Sequence, residues 1–78
     1  MNWQDYIIED EQVLVGKPTI KGTRLSVEFL VGLLAQGWTE QQILDNYPRL
    51  GKEHLKAIFS YVQDCFRDGL MYKRTYLD

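Results

Sequence analysis

The stretch Val27 to Ala35, Val-Glu-Phe-Leu-Val-Gly-Leu-Leu-Ala, constrains this chain more than any other. Ser26 ahead of it is a favoured N-cap, and Glu28 places a negative charge in the first turn, where it complements the helix dipole. Apolar residues fall on nearly every side of the helix that results, and Gly37 ends it. Such a helix needs cover on more than one face. The chain has 78 residues, enough for a single domain spanning 1–78, and a domain of that size buries only about 60 to 65% of its unfolded surface. A partner surface is therefore expected, with a homodimer or higher oligomer as the simplest source. At 45% apolar, 13% aromatic and 26% charged residues, the composition excludes disorder.

Two further helices follow from local signals. Thr39 and Gln42 form a capping box that opens a short helix from 40 to about 46, carrying Ile43 and Leu44. Pro48 stops it by disfavouring a helical Tyr47. After Arg49-Leu50-Gly51, a third helix is expected from about 52 to 68, closed by Gly69. Leu55, Ile58, Phe59, Val62, Cys65 and Phe66 recur at spacings of three and four, so they are expected to form its inward stripe. Lys52, Glu53, Lys56, Ser60, Gln63 and Arg67 are left facing outward.

Ahead of Ser26 the pattern is different. Tyr6-Ile7-Ile8 and Val13-Leu14-Val15 are β-prone triplets separated by the acidic Glu9-Asp10-Glu11. Thr19-Ile20 and Thr23-Arg24-Leu25 read as two short extended pieces about a turn, with Gly22 supplying a positive φ. The expected organisation is short strands and turns over 6–25, a three-helix unit over 26–68 and an aromatic tail over 69–78.

The net charge of −2 disfavours nucleic acid only on average. Acids gather at Asp5, Glu9, Asp10 and Glu11, whereas Lys17, Lys21 and Arg24 have no acid between them, and Lys52, His54 and Lys56 surround Glu53. The two basic stretches, 17–24 and 49–56, are candidate phosphate contacts. One cysteine and one histidine exclude an internal disulfide and leave little for metal or triad chemistry. No pair of titratable residues is placed for acid–base work, so no enzyme, cofactor or metal site is expected. Gly16-Lys17-Pro18 does not fit a P-loop, because no Gly-Lys-Ser/Thr opens a helix. No apolar run reaches the roughly 20 residues of a membrane span. The N-terminus also lacks a signal-peptide pattern, so a cytoplasmic location is expected.

A short second helix joined through about five residues to a longer third is the outline of a helix-turn-helix. Gly16-Lys17-Pro18-Thr19-Ile20-Lys21-Gly22-Thr23-Arg24-Leu25-Ser26-Val27, Gly37-Trp38-Thr39-Glu40-Gln41-Gln42-Ile43-Leu44 and Tyr47-Pro48-Arg49-Leu50 resemble the bacterial family called domain of unknown function 433. The resemblance covers about residues 7 to 66 and departs from the family at Gly51, where many members carry a Ser/Thr-type cap. It implies a mainly α, homeodomain-like helix-turn-helix bundle with a short N-terminal β element. It also implies the antitoxin half of a toxin–antitoxin module, partnered by a PIN-like toxin.

On that reading Lys52, Glu53, Lys56 and Ser60 face DNA bases, while Arg49 and Arg67 meet the backbone. Lys17, Lys21 and Arg24 are candidate phosphate or partner contacts. Arg24 is also placed to bridge internally to Glu28 or Asp45. The alternative function is a protein-interaction module that never touches DNA, anchored by the acidic N-terminus and by Tyr72 and Tyr76. His54 is expected on the surface, Cys65 as a small hydrophobe on the third helix, and Trp38 at the junction of helices one and two. Trp3 has no expected role.

Overall fold

The computed structural model describes residues 1–68. The expected tail, with Tyr72, Tyr76 and the closing Gly69, lies outside the described residues. Among the described residues three α-helices accompany a two-stranded antiparallel sheet: β1 (Ile7–Ile8), β2 (Thr19–Ile20), α1 (Val27–Ala35), α2 (Glu40–Asn46) and α3 (Lys52–Arg67), with single 3-10 turns at Trp3–Asp5 and Leu14–Gly16. The architecture is mainly α, as expected. Among the described residues, no helix is long and apolar enough to cross a membrane.

The helix starts follow their caps. Ser26 Oγ accepts the Phe29 N–H at 2.9 Å. At α2, Thr39 Oγ1 accepts the Gln42 N–H at 3.1 Å while Gln42 Oε1 accepts the Thr39 N–H at 2.8 Å, so two otherwise orphaned donors are satisfied reciprocally. Gly51 heads α3 with no side chain to offer, and His54 does the work instead. Its Nδ1 accepts the Gly51 N–H at 2.9 Å, and its ring meets Tyr6 edge-on with centroids 5.4 Å apart. His54 is therefore half-buried, not the surface residue expected.

The sheet differs from its sequence pattern. β1 pairs with Thr19–Ile20, in the register Ile7↔Ile20 and Ile8↔Thr19, and the triplet Val13-Leu14-Val15 forms no strand. The Asp10 carbonyl accepts the N–H of both Val13 and Gly16, which closes the chain on itself before it can extend. Leu14, Val15 and Gly16 then take positive φ of 50, 56 and 79°. For a β-branched residue such as Val15 that is a strained conformation. The result is a left-handed reversal that returns the chain beside β1. The turn after β2 is as expected: Gly22 has φ +80°, and the Thr23 N–H donates to the Ile20 carbonyl at 3.0 Å.

Ile7, Ile20, Val27, Leu30, Leu33, Ile43, Leu50, Leu55, Ala57 and Ile58 form one buried core. α1 contributes Val27, Leu30 and Leu33 to it but leaves Phe29 and Val31 exposed. The all-round cover its sequence demands is thus incomplete among the described residues. α3 is also rotated relative to the expected stripe. Leu55 and Ile58 are inward and Tyr61 and Cys65 half-buried, but Phe59 and Phe66 are 52% and 43% exposed. Successive residues turn by about 100°, so an apolar arc this wide has two flanks, and the core covers only one.

Trp3, which had no expected role, ties the N-terminus to that helix. Its Nε1–H donates to Asp64 Oδ2 at 2.7 Å, and its ring stands edge-on to Tyr61 at 4.8 Å. Trp38 packs against the core as expected.

Replacing Ile58 with Ala should lower unfolding free energy by about 2 to 5 kcal/mol, as for a buried aliphatic side chain. Phe59→Ala should change it far less. Denaturant melts of the two variants check the rotation of α3. Burial, aided by Cys65 and by the charge of Glu9, pushes the Tyr61 phenol up to about 12 from an ordinary value of 10.0. Between those values the unfolded chain loses the proton while the folded chain keeps it, so this contribution to stability is complete below pH 10.0 and is lost as pH rises towards about 12. Melts of Tyr61→Phe across that range should show a shallower decline than the parent.

Candidate nucleic-acid and partner surfaces

The nine residues singled out by charge and spacing are divided among three places. Lys17 leaves its basic stretch and pairs with Glu28 on α1 at 3.2 Å, both side chains well exposed. An exposed pair of this kind contributes little to stability, and it sets a carboxylate beside Lys17. Lys21 sits exposed in the β2 turn, its backbone N–H donating to the Tyr6 carbonyl at 2.8 Å. Arg24 pairs with neither Glu28 nor Asp45; among the described residues it has no ion pair.

The second place is the outer face of α3. This helix has 16 residues, and at 1.5 Å per residue it is about 24 Å long. Lys52, Lys56 and Arg67 are exposed, and Ser60 is half-buried beside them. Lys56 and Ser60 border a depression of about 600 Å³ together with Met1, Phe59, Gln63 and Phe66. Arg67 Nη1 lies 3.7 Å from Asp64 Oδ1, so its charge is partly engaged on its own helix. Lys52 and Lys56 have no ion pair among the described residues. Glu53 Oε1 lies 3.7 Å from His54 Nδ1, but that nitrogen already accepts the Gly51 N–H. The closer contact fixes Nδ1 as an acceptor, which leaves Glu53 an outward carboxylate at the head of the helix.

The third place was not legible from spacing. Arg49, in the turn between α2 and α3, donates from Nη1 to the Gly22 carbonyl at 3.2 Å. That bond crosses from the helical unit to the β turn and brings Arg49 and Arg24 to one surface. Both line a cleft of about 340 Å³ with Leu25, Tyr47 and Pro48, and both line an adjoining depression of about 500 Å³ with Ile8 and Val13. A 25-residue separation offers no local pattern that would have signalled this pairing.

The described residues contain no cluster of three or more His, Cys, Asp or Glu able to hold a metal. A further groove, apolar and about 240 Å³ in volume, runs between α1 and α3, bordered by Pro18, Val31, Val62 and Cys65.

No curated protein matches the chain. Its structure is similar to the crystal structure of a DUF433 member protein from Anabaena variabilis ATCC 29413, with a TM-score of 0.74, 29% identity and coverage of 96% of this chain and 71% of that one. The model of the family described as "Protein of unknown function (DUF433)" matches residues 7–62, from β1 into the second half of α3. The chain therefore belongs to the DUF433 family.

Proposed function

We propose that this protein is an antitoxin-like DNA-binding regulator that inserts α3 into the major groove and also holds a PIN-like toxin. The observation that carries the DNA half is the stripe on α3: Lys52 and Lys56 stand one turn apart on a solvent face, unpaired with any carboxylate among the described residues. α2, the Tyr47–Gly51 turn and α3 then act as a helix-turn-helix, and the first turns of α3 meet base edges. Lys52, Glu53, Lys56 and Ser60 address bases. Arg49 and Arg67 address phosphates, with Arg49 held in place by the Gly22 carbonyl.

A homodimer would set two such helices into successive major grooves, about 34 Å apart. Its interface would draw on the exposed Phe29 and Val31 of α1. The toxin half follows the family resemblance, and the cytoplasm, where DNA and toxin are both reachable, is the location that fits.

A specific observation favours a second reading. Phe59 and Phe66 flank the same stripe, with Met1 exposed nearby, and exposed aromatics beside a shallow depression suit a protein partner. On that reading the chain is an interaction module without DNA binding. Phe59→Ser discriminates the two: DNA binding through Lys52 and Lys56 survives the change, whereas capture of a protein partner on the Phe59 and Phe66 face does not.

A mobility-shift titration with the duplex upstream of the protein's own gene tests the first reading. Binding should weaken with salt, and Lys52→Ala and Lys56→Ala should each reduce affinity. For any lysine that contacts phosphate, the slope of log K against log salt should fall by about 1. A duplex that is not shifted at low salt, or affinity indifferent to Lys56→Ala, would reject it.

A further inference from the structure

We infer that the surface shared by Arg24 and Arg49 is a docking groove for an extended peptide segment of a partner protein, one that carries a carboxylate flanked by apolar side chains. The groove adjoins α3 and shares Arg49 with the proposed DNA face, but the lysines of α3 lie outside its lining, and the inference does not rest on DNA binding.

Three observations carry it. The two guanidinium groups border both depressions, neither of which has an acidic residue in its lining. In a chain of net charge −2, a surface with two arginines and no acid in its lining is complementary to an anion. Second, the two cations differ in how they are held. Arg49 Nη1 is fixed on the Gly22 carbonyl, which orients its remaining N–H donors, whereas Arg24 has no ion pair among the described residues. A planar fork with donors to spare matches a carboxylate bidentately.

The third observation is what lies on either side of the pair. Leu25, Tyr47 and Pro48 line one depression, and Ile8 and Val13 the other. A nucleic-acid backbone offers such walls only the C–H edges of its sugars, whereas a peptide offers whole aliphatic side chains. In an extended segment, side chains two residues apart share a face and are separated by about 7 Å. A central carboxylate on the arginines then places its neighbours at i−2 and i+2 over the two apolar walls. The turn closed by the Val13 N–H on the Asp10 carbonyl at 2.8 Å sets Val13 at this surface.

The test uses the full chain and arrayed heptapeptides with a fixed central Glu and Leu two positions to either side. Matched arrays carry Gln or phosphoserine at the centre. The Glu-centred peptides should bind at least about tenfold more strongly than the Gln-centred ones, as expected when hydrogen bonds to a charged group are lost. Arg24→Gln should remove that preference. Arg49→Gln should do so as well, but it also breaks the bond to Gly22, so Arg24→Gln, which loses no internal bond, is the deciding variant.

Equal binding of Glu- and Gln-centred peptides, or an Arg24→Gln protein that binds like the parent, would overturn the inference. Displacement of the Glu-centred peptide by phosphoserine peptides lacking the leucines would make this a phosphate site and overturn it equally.

Discussion

Everything in this small fold passes through β2. Thr19 and Ile20 have no exposed surface, and two residues of backbone tie the β element to the helices. On one side Ile20 is in register with Ile7 of β1. On the other, Thr19 bridges Ser26, and the Val27 N–H donates to the Pro18 carbonyl at 2.9 Å. The cap of α1 is therefore built onto the sheet. Thr19 Oγ1 also donates to the Lys17 carbonyl at 2.6 Å, so its hydroxyl is buried with a partner, as a buried polar group requires. With so little core, a strand that serves the sheet and the first helix together removes the need for a larger sheet.

What was legible in the sequence was whatever is decided locally. Ser26, Thr39 and Gln42 set helix starts through bonds that reach only three residues, and those starts stand where their side chains place them. Gly22 marks a turn because its own φ must be positive. Apart from His54, whose bond to Gly51 is local, the misreadings concern choices that local pattern does not decide. Val13-Leu14-Val15 has strand composition, but β propensity describes how a side chain fits a sheet already present. Asp10 closes the turn first, and β1 takes Thr19–Ile20 as its partner.

Phe59 and Phe66 satisfy a helical period as well as Ile58 does. Period alone gives the width of an apolar arc, not which flank of it meets the core. The same limit applies to the site. Charge clustering along the chain grouped Lys17 with Arg24 and Arg49 with Lys56. In the structure Lys17 turns to Glu28, and Arg24 joins Arg49. The basic stretches of the sequence are thus redistributed into a lysine stripe on α3 and an arginine groove beside the helix that carries it, with Arg49 at the join.

The Trp3–Asp64 bond connects residues 61 apart, and that separation sets an order of events. Helix caps and the β turn close loops of a few residues, whereas this contact closes nearly the whole chain and can form only when α3 already exists. During synthesis Trp3 must wait for α3 to emerge before its indole finds a carboxylate. The segment that folds last by this logic is held to α3 by the Trp3–Asp64 bond, by the Trp3–Tyr61 ring contact and by the edge of Tyr6 on His54. Trp3 is thereby the late closure over the outer half of α3: its indole covers Tyr61 and engages Asp64, and both are bare until it arrives.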